Sequence, residues 1–144
     1  MENIILYPDR CQYRSGEPVT LLLECGASLP QDAPYRVEIT RGLDTILVET
    51  GRLCGGRAAV SAGSYEEEFQ GFGAAATVET PDGPCAAYTA FDVVDGPGRT
   101  FRYGFLCGFD RSDEEDAADV KSMARQHITH VQFYDWMYRH EQLL

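Results

Sequence analysis

Apolar and polar residues alternate in short runs between Arg10 and Val94, and Pro, Gly, Asp and Ser separate the runs. Val19, Leu21 and Leu23 fall on one face of a strand over 19–25, opposite Thr20, Leu22 and Glu24. A period of two marks a half-buried strand, because successive side chains point to opposite sides of a sheet. The same logic puts Tyr35, Val37 and Ile39 inward on a strand over 35–40, with Arg36, Glu38 and Thr40 outward. Shorter strands are expected at 10–14, 45–49 and 57–61. Segments 71–80 and 85–94 flank Pro81-Asp82-Gly83-Pro84, a run sterically suited to a turn, so they predict an antiparallel hairpin. Ala74-Ala75-Ala76 belongs to that hairpin, since Thr77, Val78 and Thr80 favour strands. Roughly seven strands in this length match the rhythm of an immunoglobulin-like β-sandwich.

The pattern changes after Gly96-Pro97-Gly98. A short aromatic strand is expected over 101–105. Ser112-Asp113-Glu114-Glu115 fits a capping box, and the acids Asp113 to Asp116 suit the positive end of a helix dipole. Ala117, Val120, Met123, Ala124, His127 and Ile128 recur at helical spacing and predict one buried face. The helix is expected to end near Gln126 or His127, with another strand over 131–134. Strand, helix, strand at this spacing is a βαβ unit, with parallel strands and a right-handed crossover. The fold is therefore read as mainly β, with a sandwich over 1–97 and a β-α-β segment over 98–144.

The 144 residues carry a formal charge of −11. Nucleic acid and anionic membranes need Lys and Arg clusters and are excluded as partners, whereas a neutral polysaccharide is not. The charge is uneven: residues 1–97 hold 6 basic and 15 acidic side chains, residues 98–144 hold 6 and 8. The five cysteines form no C-x-x-C, so a zinc or redox motif is not expected; they read as thiols in a reducing compartment. Cys25 and Cys85 could bridge two sheets, but the sole Trp lies outside that region, so the antibody-type Cys…Trp…Cys pattern is missing. Neither a basic leader with an apolar h-region nor a membrane-length apolar stretch occurs, and the chain reads as cytoplasmic or as cut from something longer.

The densest chemistry lies at the end of the last predicted strand, in Tyr134, Asp135, Trp136, Tyr138, Arg139 and His140. Aromatic faces stack on sugar rings, and carboxylate and imidazole groups hold hydroxyls by directed hydrogen bonds. In a barrel, sites form at the carboxyl ends of strands, here residues 106–110 and 134–140. The candidate substrate-binding residues are Tyr134, Asp135, Trp136, Tyr138 and His140. The plainer alternative makes the aromatics packing groups and Asp135 a helix cap. Asp110 and Asp135 are read as caps or substrate hydrogen bonders rather than a glycosidase pair. His127 and His130 straddle a helix end, so their rings need not converge on a metal. Glu66-Glu67-Glu68 reads as a solvated acidic turn. No nucleotide or hydrolase fingerprint occurs, and no cofactor or metal is implied.

Arg102-Tyr103-Gly104-Phe105, followed by His127-Ile128-Thr129-His130-Val131-Gln132-Phe133-Tyr134-Asp135-Trp136-Met137-Tyr138-Arg139-His140, resembles the start of the catalytic barrel in glycoside hydrolase family 66. That family holds dextranases and cycloisomaltooligosaccharide glucanotransferases. Tyr13-Arg14-Ser15-Gly16-Glu17-Pro18-Val19 resembles the opening of the immunoglobulin-like domain that precedes the (β/α)8 barrel in those enzymes. The resemblance implies a retaining enzyme acting on α-1,6-glucan or isomaltooligosaccharide, with an Asp nucleophile and a Glu acid/base on later barrel strands. It implies no catalytic residue in this chain and makes Tyr134, Asp135, Trp136, Tyr138 and His140 sugar-binding rim residues. The chain is expected to be an inactive amino-terminal portion whose open strand edges invite self-association. The alternatives are a standalone carbohydrate-binding module and a protein-interaction β-sandwich.

Overall fold

A computed structural model describes residues 4–96, 98–107 and 112–134. The chain divides into two compact units, Met1–Thr100 and Phe101–Leu144. Among the described residues no helix is long and apolar enough to cross a membrane.

Among its described residues the first unit has seven strands: β1 (Ile4–Pro8), β2 (Pro18–Cys25), β3 (Pro34–Arg41), β4 (Asp44–Arg52), β5 (Arg57–Ser64), β6 (Phe69–Val78) and β7 (Cys85–Val93). They form a three-stranded sheet of order β1-β2-β5 and a four-stranded sheet of order β4-β3-β6-β7, and these seven strands pair with one another antiparallel. The alternation seen in the sequence becomes the core. Val19, Leu21 and Leu23 are buried from one sheet; Val37, Ile39, Phe72 and Phe91 are buried from the other. Tyr35, expected inward with Val37 and Ile39, is only half-buried. The rings of Phe72 and Phe91 stack at 5.0 Å, Tyr65 stacks on Phe72 at 4.4 Å, and Tyr13 meets Phe91 edge-on at 6.0 Å. Such ring pairs add about 1 kcal/mol each to the area they bury.

The start of the chain differs from its sequence reading. The first strand is Ile4–Pro8, whose alternate residues Ile4, Leu6 and Pro8 are buried, rather than 10–14. Residues 9–12 bend the chain from one sheet to the other. Only Tyr13 then pairs, in a parallel bridge to Val93. Its N–H donates to Asp92 O (2.9 Å), and Val94 N–H donates to Tyr13 O (2.8 Å), which satisfies part of the outer edge of β7. The Tyr13 ring is fully buried, and its hydroxyl donates to Asp9 Oδ1 (2.5 Å) and Thr20 O (2.9 Å). Elsewhere a bulge lies between Phe69 and Phe72; Gly71 sits in it at φ +81°, a conformation that strains an L side chain, with its N–H on Asp92 Oδ1 (2.7 Å).

The run Glu66-Glu67-Glu68 is no bare acidic turn. Glu67 pairs with Arg41 at 2.9 Å. Glu68 accepts from Arg99 Nη1 and from Asp95 N–H, both at 2.6 Å, while Asp95 accepts from Ser15 N–H and Oγ at 2.8 and 2.9 Å. Gln70 Nε2 donates to Arg99 O (3.0 Å), and Thr100 Oγ1 donates to Gln12 Oε1 (2.8 Å). The segment leaving β7 is thereby fastened to the sandwich as far as Thr100.

The second unit holds β8 (Tyr103–Leu106), α1 (Asp113–Arg125) and β9 (His130–Phe133), and β8 and β9 pair in parallel. Ser112 caps α1 with both halves of a capping box. The helix face expected to be buried is not: no α1 residue is buried, and Val120 is 55% exposed. A two-stranded sheet is too narrow to cover a helical stripe, so the periodicity marks a face without enough partner surface.

Candidate functional site

The site predicted from the sequence lies at the carboxyl end of β9. Register decides which residues it gathers. Tyr103 pairs with His130 and Phe105 with Gln132, so these four side chains share one face of the parallel pair. The contacts agree: the Tyr103 hydroxyl donates to Gln132 Oε1, Phe101 stacks near His130 at 4.1 Å, and Phe105 meets Tyr134 edge-on at 5.9 Å. Phe101 and Tyr103 lie parallel at 6.1 Å, and Tyr103 and Phe105 meet edge-on at 5.1 Å. The result is a face of five rings with one amide and two phenol hydroxyls among them. It is exposed; Tyr134 and Phe105 are 53% and 59% accessible. Gly104, Leu106, Val131 and Phe133 lie on the opposite face, where Ile128 approaches Gly104.

The loop from α1 to β9 is fixed by local hydrogen bonds. Ile128 N–H donates to Met123 O and His127 N–H to Ala124 O, both at 3.1 Å. This is a Schellman arrangement, and His127 occupies its left-handed position at φ +52°, where Gly is usual. Arg102 Nη1 donates to Gln126 O (2.9 Å), a cation at the negative end of the helix. Thr129 N–H donates to Arg102 O (2.9 Å), and Thr129 Oγ1 accepts from Arg102 N–H (3.1 Å), which sets the register of β9 against β8.

The two histidines therefore part ways. His127 ends the helix, while His130 lies in the aromatic face with Nδ1 2.9 Å from Thr129 Oγ1. Among the described residues no group of three or more His, Cys, Asp or Glu side chains could hold a metal. Of the predicted sugar-binding residues, Tyr134 stands at the end of β9, its N–H on Leu106 O at 2.8 Å. Asp135, Trp136, Tyr138 and His140 lie outside the described residues, as does Asp110. Phe101, Tyr103 and Phe105 join the site beyond the residues expected from the sequence. The signal was present, since three aromatics at period two must share a side.

The family model for glycosyl hydrolase family 66 matches residues 8–144. The chain belongs to glycosyl hydrolase family 66. The match runs from the end of β1 through the rest of the sandwich and on through β8, α1 and β9, so it reaches into both units. Similarity extends to a cycloisomaltooligosaccharide glucanotransferase from Niallia circulans, at 25% identity over 150 residues, covering 96% of this chain and 15% of that protein. The family 66 chain thus spans about 15% of the length of the curated relative it matches. Among solved structures, the soluble domain of PmoD from Methylocystis sp. ATCC 49242 (Rockwell) is similar over 62% of this chain and 90% of its own, with 13% identity and a TM-score of 0.46.

Proposed function

We propose that these residues form the amino-terminal portion of a dextranase-like retaining glycoside hydrolase or glucanotransferase that acts on α-1,6-glucan. In this reading an immunoglobulin-like sandwich precedes a (β/α)8 barrel, and β8 and β9 are the first two barrel strands. The observation that carries it is the family match through both units, over residues 8–144.

Three structural features support the architecture. β8 and β9 are parallel and joined through α1, the repeating unit of such barrels. Parallel strands are ordinarily covered on both faces, yet every residue of β9 is exposed, as expected of a sheet that continues. In the sandwich, Tyr65 lies between β5 and β6 and its hydroxyl donates back to Ala62 O at 2.6 Å, the tyrosine corner typical of immunoglobulin-like folds. The α-1,6-glucan substrate is suggested by the family and by the similarity to the Niallia circulans cycloisomaltooligosaccharide glucanotransferase.

Retaining hydrolysis requires a nucleophile and an acid/base carboxyl about 5–5.5 Å apart, flanking the scissile bond. Those groups belong to later strands in this reading, and Tyr134, Asp135, Trp136, Tyr138 and His140 bind sugar near the cleavage point. The purified 144-residue chain is expected to release no reducing sugar from dextran; hydrolysis by that chain would overturn the proposal. The exposed rings of β8 and β9 also favour a second reading, a carbohydrate-binding module. It predicts isomaltooligosaccharide binding by calorimetry that Trp136→Ala abolishes, whereas the first reading expects no binding to the 144 residues alone.

A further inference from the structure

We infer that Cys25 and Cys85 are an oxidisable pair that can join the two sheets of the sandwich through a disulfide. This stands apart from the sugar-processing reading.

Cys25 closes β2 in the three-stranded sheet and Cys85 opens β7 in the four-stranded sheet. Both point inward. Cys25 continues the face of Val19, Leu21 and Leu23, and Cys85 shares the face of Ala87, Phe91 and Val93. Both thiols pack half-buried against the same core. They also lie at the same end of the sandwich. Cys25 pairs with Ile4 of β1, and β1 lies against β7. From Cys25 the chain crosses to β3, where Tyr35 pairs with Val78, and Val78 pairs with Cys85. Burial, and then the proximity of Cys85, push the Cys25 thiol up.

The geometry is selective. Sheets pack about 10 Å apart, and a disulfide joins Cα atoms about 4.4–6.8 Å apart, so only inward-facing thiols where the layers converge can bridge. Cys54 and Cys107 are exposed, and Cys11 lies against the Thr100 hydroxyl at 3.6 Å. The chemistry needs an oxidant, here a small-molecule disulfide of the glutathione class. One protein thiolate attacks it, forming a mixed disulfide and releasing one small thiolate. The second protein thiolate attacks the mixed disulfide at the protein sulfur and releases the second small thiolate. Two electrons pass from the cysteines to the oxidant, and the two cysteine protons go to the released thiolates.

The test is peptide mapping of the intact 144-residue chain after equilibration in oxidised glutathione, read without reduction. The inference expects one dominant cross-linked peptide pair containing Cys25 and Cys85. It also expects a thermal midpoint raised by about 10 °C and returned by reductant. In Cys25→Ser, Cys85 should carry a glutathione adduct, and the rise in midpoint should vanish. Glutathione adducts on both Cys25 and Cys85 of the wild type without a cross-link would overturn the inference, as would dominant bridging through Cys11, Cys54 or Cys107. The wild-type map decides the matter even if the serine variant fails to fold.

Discussion

At the scale of single residues, Tyr13 does more than its sequence suggested. Its ring is in the core, yet its hydroxyl is held by Asp9 and by Thr20 O. Burial, and then the Asp9 carboxylate, push its phenol well above the ordinary tyrosine value. Burial raises Tyr65 too. A raised folded-state value means the native state keeps its proton where the unfolded chain releases it. The associated stability is present below pH 10.0 and is lost as pH climbs through the native values. Thermal midpoints followed upward from pH 9 should fall, and Tyr13→Phe should flatten part of that fall. At neutral pH the same substitution should cost about 1 kcal/mol, since Asp9 is exposed and can return to water. His127 is a second such residue. Its left-handed backbone is strained for any side chain bearing a Cβ. His127→Gly should stabilise α1 by about 1 kcal/mol, readable as increased helical circular dichroism and slower exchange of the Met123 to Gln126 amides.

At the scale of elements, local chemistry was legible and partner-dependent chemistry was not. The capping box at Ser112 and the inward row Val19, Leu21, Leu23 follow from neighbours in sequence, and both are present. The buried face of α1 did not follow, because helical periodicity reports a stripe but not the width of the sheet beneath it. The first strand lies at Ile4–Pro8 rather than at Arg10 to Arg14, because Ile4 and Leu6 hold the alternation that reaches the core. The clasp of Ser15, Glu68, Asp95 and Arg99 joins residues far apart in sequence, so no local pattern announced it. It gives the unit an acid dependence. Glu68 is lowered by the Asp95 N–H and by Arg99, and Asp95 by the Ser15 N–H and hydroxyl. Lowered values give stability that is present above about pH 4.5 and lost as pH falls through the native carboxyl values. A midpoint-against-pH series should show that acid-side drop in the wild type and a shallower one in a Glu68→Gln, Asp95→Asn double variant.

At the scale of the whole molecule, the chain divides into two compact units, Met1–Thr100 and Phe101–Leu144. The sandwich has two sheets closing on one core; the second unit has a helix with no buried residue and a parallel pair with aromatic side chains open to solvent. The family was readable from the aromatic run after Thr129, but most of that run, Asp135 to His140, lies outside the described residues. The candidate site was therefore legible chiefly as composition. Its strand register, and the company Tyr134 keeps with Phe105, required coordinates. Hydrogen exchange of the 144-residue chain, read residue by residue, tests most directly the proposal that the sandwich is self-sufficient, whereas β8, α1 and β9 need further strands to cover them. The account predicts slow, globally coupled exchange for Leu21, Val37 and Ala76 and fast exchange for Gly104, Val131 and the α1 amides. Protection of Gly104 and Val131 equal to that of the sandwich core would contradict it.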